Sequence, residues 1–297
     1  MQLTLLLRNI PFEVERILCS RLNSFLRRRP SSAPFLSGDT YRAMADFVFD
    51  ETGGFDPTKV GRGDIVFVGA RRLDEFVDEV LPAIGEGFVL VTHQGDRNVD
   101  EGLGRVAEHP MVLHWFAQNC MLEHPKVTPL PIGLEDRWRH NNGDYGDFRR
   151  IGRKNSPSIP MIAHAFTLGT NLDKRIECYR ALKSSRVGKE LPQPINSSLY
   201  REMVKRYMLV ASPPGNGLDC HRTWEAMYMG CVPVVEDDYM NRRFAEAGAP
   251  MVLVRSWDEI REWDEGEVRA RYARAAGSLG APILFADHWR RAFSRAR

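Results

Sequence analysis

Short apolar runs alternate with amphipathic stretches along most of the chain. "DIVFVG" (Asp64–Gly69), "GFVLVTH" (Gly87–His93), "MVLHWFAQN" (Met111–Asn119) and "VTPLPIGL" (Val127–Leu134) are rich in aliphatic residues and lack a two-residue polar alternation. Such runs predict strands covered on both faces. The last two are expected to follow one another through a turn. Between the first two, "RLDEFVDEVLPAI" has helical spacing. The pattern then restarts with the strand-like runs "MIAHAFTL", "YMLVASP", "CVPVVED" and "MVLVRS", separated by the helical segments "GTNLDKRIECYRAL", "LYREMVKR" and "DCHRTWEAMYMG" and followed by "WDEIREW". Strands separated by helices of this length predict βαβ units and a mostly parallel sheet. The polar, basic, proline-containing stretch from Arg149 to Pro160 reads as a hinge, giving an N-terminal half over 1–152 and a C-terminal half over 158–297. The fold class expected is α/β, as two α/β halves.

In open parallel sheets ligands bind outside the carboxyl ends of the strands. That rule selects four loops, "THQGDRNVDE", "PIGLEDRWRHNNGD", "FTLGTNLDKR" and "ASPPGNGLDCHR", all rich in Gly, Asn, Asp, His and Arg. Singly, each is ordinary turn chemistry; four converging on one cleft are a site. Gly169, Thr170 and Asn171 are placed at a helix N-terminus, where free backbone N–H groups attract an anion. Arg175, one turn on, offers a bidentate fork to the same phosphate unless it merely pairs with Asp173 or Glu177 on a solvated face. Gly215, Asn216 and Gly217 form a second flexible cradle, with Arg222 just inside the next helix. Glu225 shares the helix face of Arg222 at three-residue spacing and is suited to the diol of a ribose. The plainer account of Glu225, a first-turn carboxylate stabilised by the helix dipole, leaves Arg222 and the loop unexplained.

The segment "SPPGNGLDCHRTWEAMYMGCVPVV" resembles the nucleotide-sugar-binding segment of exostosin-like glycosyltransferases, in which a Pro-x-Gly loop leads to Arg-x-x-Glu-Ala and then Gly-Cys-x-Pro-Val. The matching positions are Pro213 to Gly215, Arg222, Glu225, Ala226, Gly230, Cys231, Pro233 and Val234. "FTLGTN" and "HPMVLHWFAQN…HPKVTPLPIGLE" resemble bacterial and viral members of the same group, and the first sixty residues or so do not. The resemblance implies a GT-B architecture: two Rossmann-like domains facing a central cleft, donor nucleotide on the C-terminal one, and a closing helix around "DHWRRAFSRAR" that crosses back. It further implies a nucleotide-sugar donor, an inverting transfer to a glycan or lipid-linked glycan, and a place in surface polysaccharide synthesis. The donor side would then comprise Thr167, Thr170, Asn171, Arg175, Gly215, Asn216, Gly217, His221, Arg222, Glu225 and Asp238.

Transfer from such a donor requires a base for the acceptor proton and neutralisation of the departing diphosphate. Asp96 is the first candidate base and His93 the second, because their loop leaves a central strand; Glu51, His140 and Asp144 are the remaining loop candidates. Glu236, Asp237 and Asp238 look superficially like a metal clamp, but two arginines and two glycine loops suffice for the diphosphate, so no metal and no cofactor is expected. A catalytically silent nucleotide-sugar or glycan-binding protein of the same fold is the alternative; a phosphorylase is disfavoured.

Bulk properties change this picture little. Of 297 residues, 43% are hydrophobic and 27% charged, and the net charge of +2 does not point to nucleic acid. The five cysteines, Cys19, Cys120, Cys178, Cys220 and Cys231, are dispersed without a C-x-x-C pair, which fits a reducing compartment and argues against a zinc site. "LTLLL" is too short for a signal-peptide core and no apolar run reaches about 20 residues, so a cytoplasmic protein is expected. "FEVERILCSRLNSFLRRR" (Phe12–Arg29) reads as an amphipathic helix ending in three arginines. Its apolar face, with Ile17, Leu18, Leu22, Phe25 and Leu26, either packs on the core or makes a peripheral contact with an anionic membrane at its inner face.

Overall fold

Among the described residues ten strands build two sheets, and every pairing of these strands is parallel. The computed structural model describes residues 28–138, 146–151, 157–192 and 197–297, together with Leu18, Arg21, Leu22, Phe25 and Leu26. In the first half β1 (Phe47–Phe49), β2 (Ile65–Gly69), β3 (Phe88–His93), β4 (Val112–Ala117) and β5 (Val127–Pro129) lie in chain order. Every residue of β2 and β3 is buried, as their unbroken apolar sequences require. In the second half β6 (Ile159–His164), β7 (Gly188–Glu190), β8 (Tyr207–Ala211), β9 (Val232–Glu236) and β10 (Val252–Val254) are ordered β10-β9-β8-β6-β7. The strand order therefore reverses between β6 and β8, which leaves a crevice at their carboxyl ends.

The helices that matter for the site are α1 (Gly38–Arg42), α2 (Leu172–Ser184), α3 (Ser197–Val204), α4 (His221–Tyr228), α5 (Tyr239–Glu246) and α6 (Ala286–Arg295). The last lies on the N-terminal half. Phe293 packs 4.7 Å from Phe116 of β4, and Tyr41 of α1 contacts both Trp289 and Phe293. One apolar cluster thus spans both halves, joining Phe35, Tyr41 and Phe116 to Tyr228, Trp289 and Phe293. Two α/β units, each built on a five-stranded parallel sheet, face a shared cleft.

Three local expectations are corrected. The connection between β4 and β5 is longer than the expected turn: the two strands are parallel, so residues 118–126 cross over. Residues 70–83 do not form one regular helix but a chain of 3₁₀, α and π pieces ending at Pro82, which has no N–H for a helical bond. Leu18, Leu22, Phe25 and Leu26 are exposed, not packed on the core. Most of Phe12–Arg29, His140, Asp144 and the middle of the expected hinge lie outside the described residues.

Candidate nucleotide-sugar site

The reversal between β6 and β8 sets two loops side by side, and a cavity of about 490 Å³ opens where they meet the first turn of α4. Thr167, Thr170 and Arg175 reach it from the β6 side, and Gly215, Asn216 and Gly217 from the β8 side. His221, Arg222 and Glu225 reach it from α4, and Asp96 from the opposite half. A volume of this size lies in the range of small-molecule and cofactor sites.

Two guanidinium groups dominate its electrostatics. Arg175 and Arg222 lie 5.8 Å and 5.7 Å from the centroid of one ring, that of Phe166. Burial, followed by the neighbouring Arg222 charge, lowers the Arg175 pKa from its ordinary value. The two cations thus stand near enough for the charge of one to act on the other. Arg175 does not pair with Asp173 or Glu177. Its Nε donates to the Pro214 carbonyl at 2.9 Å and its Nη1 to the Thr167 carbonyl at 2.7 Å, so it staples the two loops together. Arg222 is less committed: it lies against the Tyr200 hydroxyl, and its buried Nη1 makes no hydrogen bond to another described residue. An unpaired buried donor on a charged group costs several times what an ordinary hydrogen bond contributes, and an anion in the cavity removes that cost.

Glu225 is held from behind. Its Oε1 accepts from Arg201 of α3 at 3.0 Å, and Arg201, almost wholly buried, also meets Asp147 at 3.0 Å. Oε2 has no partner among the described residues, and the side chain borders the cavity. The carboxylate is therefore oriented by one oxygen and offers the other. Arg201 and Asp147 belong to no motif, so nothing in the sequence marked this support.

Other sequence candidates take different positions. Asn171 caps α2, accepting from the Lys174 N–H, and ties the β6 loop to the Gly215 carbonyl at 2.8 Å; its side chain stands outside the cavity wall. Asp238 is the N-cap of α5, accepting from the Asn241 N–H at 2.8 Å, and is likewise outside. Glu236 accepts from Trp257 Nε1 and pairs with Lys174, while Asp237 pairs with Arg242, so these three acids serve the local packing. His93 is buried with both ring nitrogens engaged. Nδ1 accepts from the Gln94 N–H at 2.8 Å, which leaves Nε2 as the donor to the Pro131 carbonyl at 3.1 Å. Burial pushes its pKa down to about 4, and with both nitrogens engaged it has no free lone pair for base chemistry. Glu51 is exposed, pairs with Arg29 and borders neither cavity described here.

A second cavity of about 110 Å³ adjoins the first, bordered by His93, Gln94, Asp96, Glu135 and Asp136 of the N-terminal half and by His221. Gln94 Nε2 donates to Asp39 at 2.9 Å and to Asp136 at 2.7 Å, bracing a pair of buried carboxyls behind this wall. Burial, then the Asp136 charge, raises the Asp39 pKa to about 7. Where the halves meet, Asp219 accepts from the Ile132 N–H at 2.7 Å and from Trp224 Nε1 at 2.8 Å; burial pushes its pKa up to about 7. Asn119 accepts from the Asp219 N–H at 3.0 Å, and a Cβ on Gly217 would stand 2.7 Å from the Asn119 amide. Asp219, Asn119 and Tyr200 are functional neighbours that no sequence signal singled out.

Residues 165–276 match the family described as the RXYLT1 C-terminal domain, which is less than half of the chain but contains β8, α4 and both arginines. No curated protein matches the chain as a whole. Among solved structures it is similar to a TarM mutant of S. aureus in complex with Fondaparinux, alpha-GlcNAc-glycerol and UDP. That similarity has 12% identity and a TM-score of 0.41, over 78% of this chain and 56% of that one. The alpha,alpha-trehalose 6-phosphate synthase of Burkholderia multivorans gives 10% identity and a TM-score of 0.42, over 82% of this chain and 72% of that one. The spinosyn rhamnosyltransferase SpnG gives 15% identity and a TM-score of 0.36, over 78% and 68%. The chain spans about half the length of the TarM chain.

Proposed function

We propose that the protein is a glycosyltransferase that moves a sugar, with inversion, from a nucleotide-sugar donor to a glycan or lipid-linked glycan. The observation that carries this reading is the Arg175–Arg222 pair on Phe166, with Arg222 Nη1 buried and without a hydrogen bond among the described residues at the wall of a 490 Å³ cavity. Two guanidiniums against one ring, neither in an ion pair among the described residues, suit a diphosphate, whose charge grows as the glycosidic bond breaks. Glu225 Oε2 lies one helical turn from Arg222, where a ribose hydroxyl can donate to it. Neutralisation falls to these arginines, so transfer proceeds without a divalent ion. The carboxylate-rich second cavity suits an acceptor that presents hydroxyl donors. Surface polysaccharide synthesis on the cytoplasmic face of a membrane fits a lipid-linked acceptor and the exposed Leu18, Leu22 and Phe25.

A thermal-shift screen of UDP-, GDP-, CMP- and dTDP-sugars tests the reading. Stabilisation by one nucleotide class, abolished in Arg222→Ala, is the expected result. No stabilisation by any of them at millimolar concentration would overturn it. Turnover should persist in EDTA; loss that Mn²⁺ or Mg²⁺ restores would overturn the arginine-based neutralisation while leaving the site itself in place.

A further inference from the structure

We propose that His221 takes the acceptor's proton, an assignment that rests on the glycosyltransferase reading above. The group with this task must stand where the acceptor oxygen meets the sugar carbon, at the seam of the two cavities. Among the described residues only Asp96, Ile132 and His221 border both. Ile132 has no titratable side chain. Asp96 is exposed and has no hydrogen bond to another described residue that would hold it in place.

His221 is fixed, and its tautomer is set. Nδ1 lies 2.8 Å from the Gly133 carbonyl oxygen, which can only accept, so the ring proton is on Nδ1 and the lone pair on Nε2. Nε2 has no partner among the described residues and is not a buried orphan, so it opens onto the cavities. The carbonyl that orients the ring is itself immobilised. Gly133 has φ +66°, and a Cβ there would stand 2.4 Å from the Leu36 carbonyl oxygen. One residue earlier, the Ile132 N–H is held by Asp219. The same helix turn thus supplies the base and, at Arg222, the cation for the leaving group.

The step balances as follows. The acceptor hydroxyl oxygen bonds to the anomeric carbon while the bond from that carbon to the diphosphate oxygen breaks. The electron pair of the broken bond stays on the diphosphate beside Arg222, and the hydroxyl proton passes to His221 Nε2 and then to water. Attack opposite the leaving group inverts the anomeric centre.

Two variants of the full chain separate base from brace. In His221→Asn the side-chain amide can still donate to the Gly133 carbonyl but has no basic nitrogen; His221→Ala loses both. Binding of UDP, GDP and dTDP is read by calorimetry, and turnover by nucleotide release from UDP-glucose, GDP-mannose and dTDP-glucose. Nucleotide affinity should stay within about threefold in His221→Asn, turnover should fall ~10²- to 10⁴-fold, and the acid limb of the kcat/KM pH profile should vanish. Added imidazole should restore part of the turnover of His221→Ala. Near-wild-type turnover in His221→Asn, or no imidazole rescue together with an intact acid limb, would overturn the assignment. So would loss of the acid limb in Asp96→Asn while His221→Asn keeps it. A wild-type chain that binds no nucleotide removes both this assignment and the reading beneath it. A wild-type chain that turns over as fast as His221→Asn removes this assignment alone.

Discussion

Arg222 and Glu225 share one face of α4 but are embedded differently, so their substitutions should part company. Arg222→Ala removes charge stabilisation that grows in the transition state and also relieves a buried unpaired donor. It should lower kcat by ~10²-fold or more without loss of thermal stability, and Arg222→Lys should recover only part, since a point charge cannot reproduce the fork. Glu225→Ala strands half of the Arg201 ion pair in the interior, so it should both weaken donor binding and lower the melting temperature. Steady-state kinetics beside melting curves check this; equal stability loss in both variants would make the helix face structural. The titrating side chains behind the second cavity set opposite pH slopes. The folded Asp39 pKa of about 7 stands above its ordinary value of 3.8, so between those values the native state holds a proton that the unfolded chain releases. Stability from this group falls as pH rises across that window. His93, at about 4 against 6.5, works the other way: stability is lost as pH falls from 6.5 toward 4. Asp39→Asn should therefore be more stable than wild type at pH 8, the difference closing toward pH 4; a pH-independent difference in melting temperature would refute the sign.

At the scale of elements, the close approaches between loops decide what can vary. Gly133 combines a left-handed backbone with an approach to Leu36, so Gly133→Ala should cost more than about 3 kcal/mol and disturb His221 through the lost carbonyl geometry. Denaturant melts measure the first effect and the pH profile of turnover the second; an unperturbed variant would show that the loop relaxes freely. The long buried strands were legible because apolar runs such as that of β3 have no other soluble use. β1 and β7 were not: β7 is the polar Gly-Lys-Glu, and the three apolar residues of β1 are soon bounded by Asp46 and Asp50. The two glycine loops and α4 could be read from composition and spacing. What could not be read is which polar groups are already spent. Asn171 and Asp238 carry the residue types of a ligand site, yet both cap helices, a role that uses the same side-chain oxygen. Asp219 and Arg201 escaped notice because their partners, Ile132 and Asp147, are 87 and 54 residues away in sequence.

For the whole molecule, the shared cluster under α6 makes the halves one thermodynamic unit although their sheets are separate. Phe293 is fully buried against Phe116 and Tyr41, and Tyr228 accepts from the Leu36 N–H at 3.2 Å while donating to the Leu284 carbonyl at 2.8 Å. A fragment beginning near Pro160 keeps every C-terminal donor contact but exposes Trp289 and Phe293, so it should not fold stably by itself. Phe293→Ala in the full chain should cost about 3–5 kcal/mol, as large aromatic truncations in cores do. The consequence extends to function, because the seam between the two cavities exists only while Gly133 and Ile132 of one half grip His221 and Asp219 of the other. Calorimetry of the full chain should give a single transition, and saturating nucleotide should shift all of it upward rather than splitting off a C-terminal component. Two resolved transitions, with nucleotide moving only one, would show that the donor half is autonomous and that α6 merely rests on its neighbour.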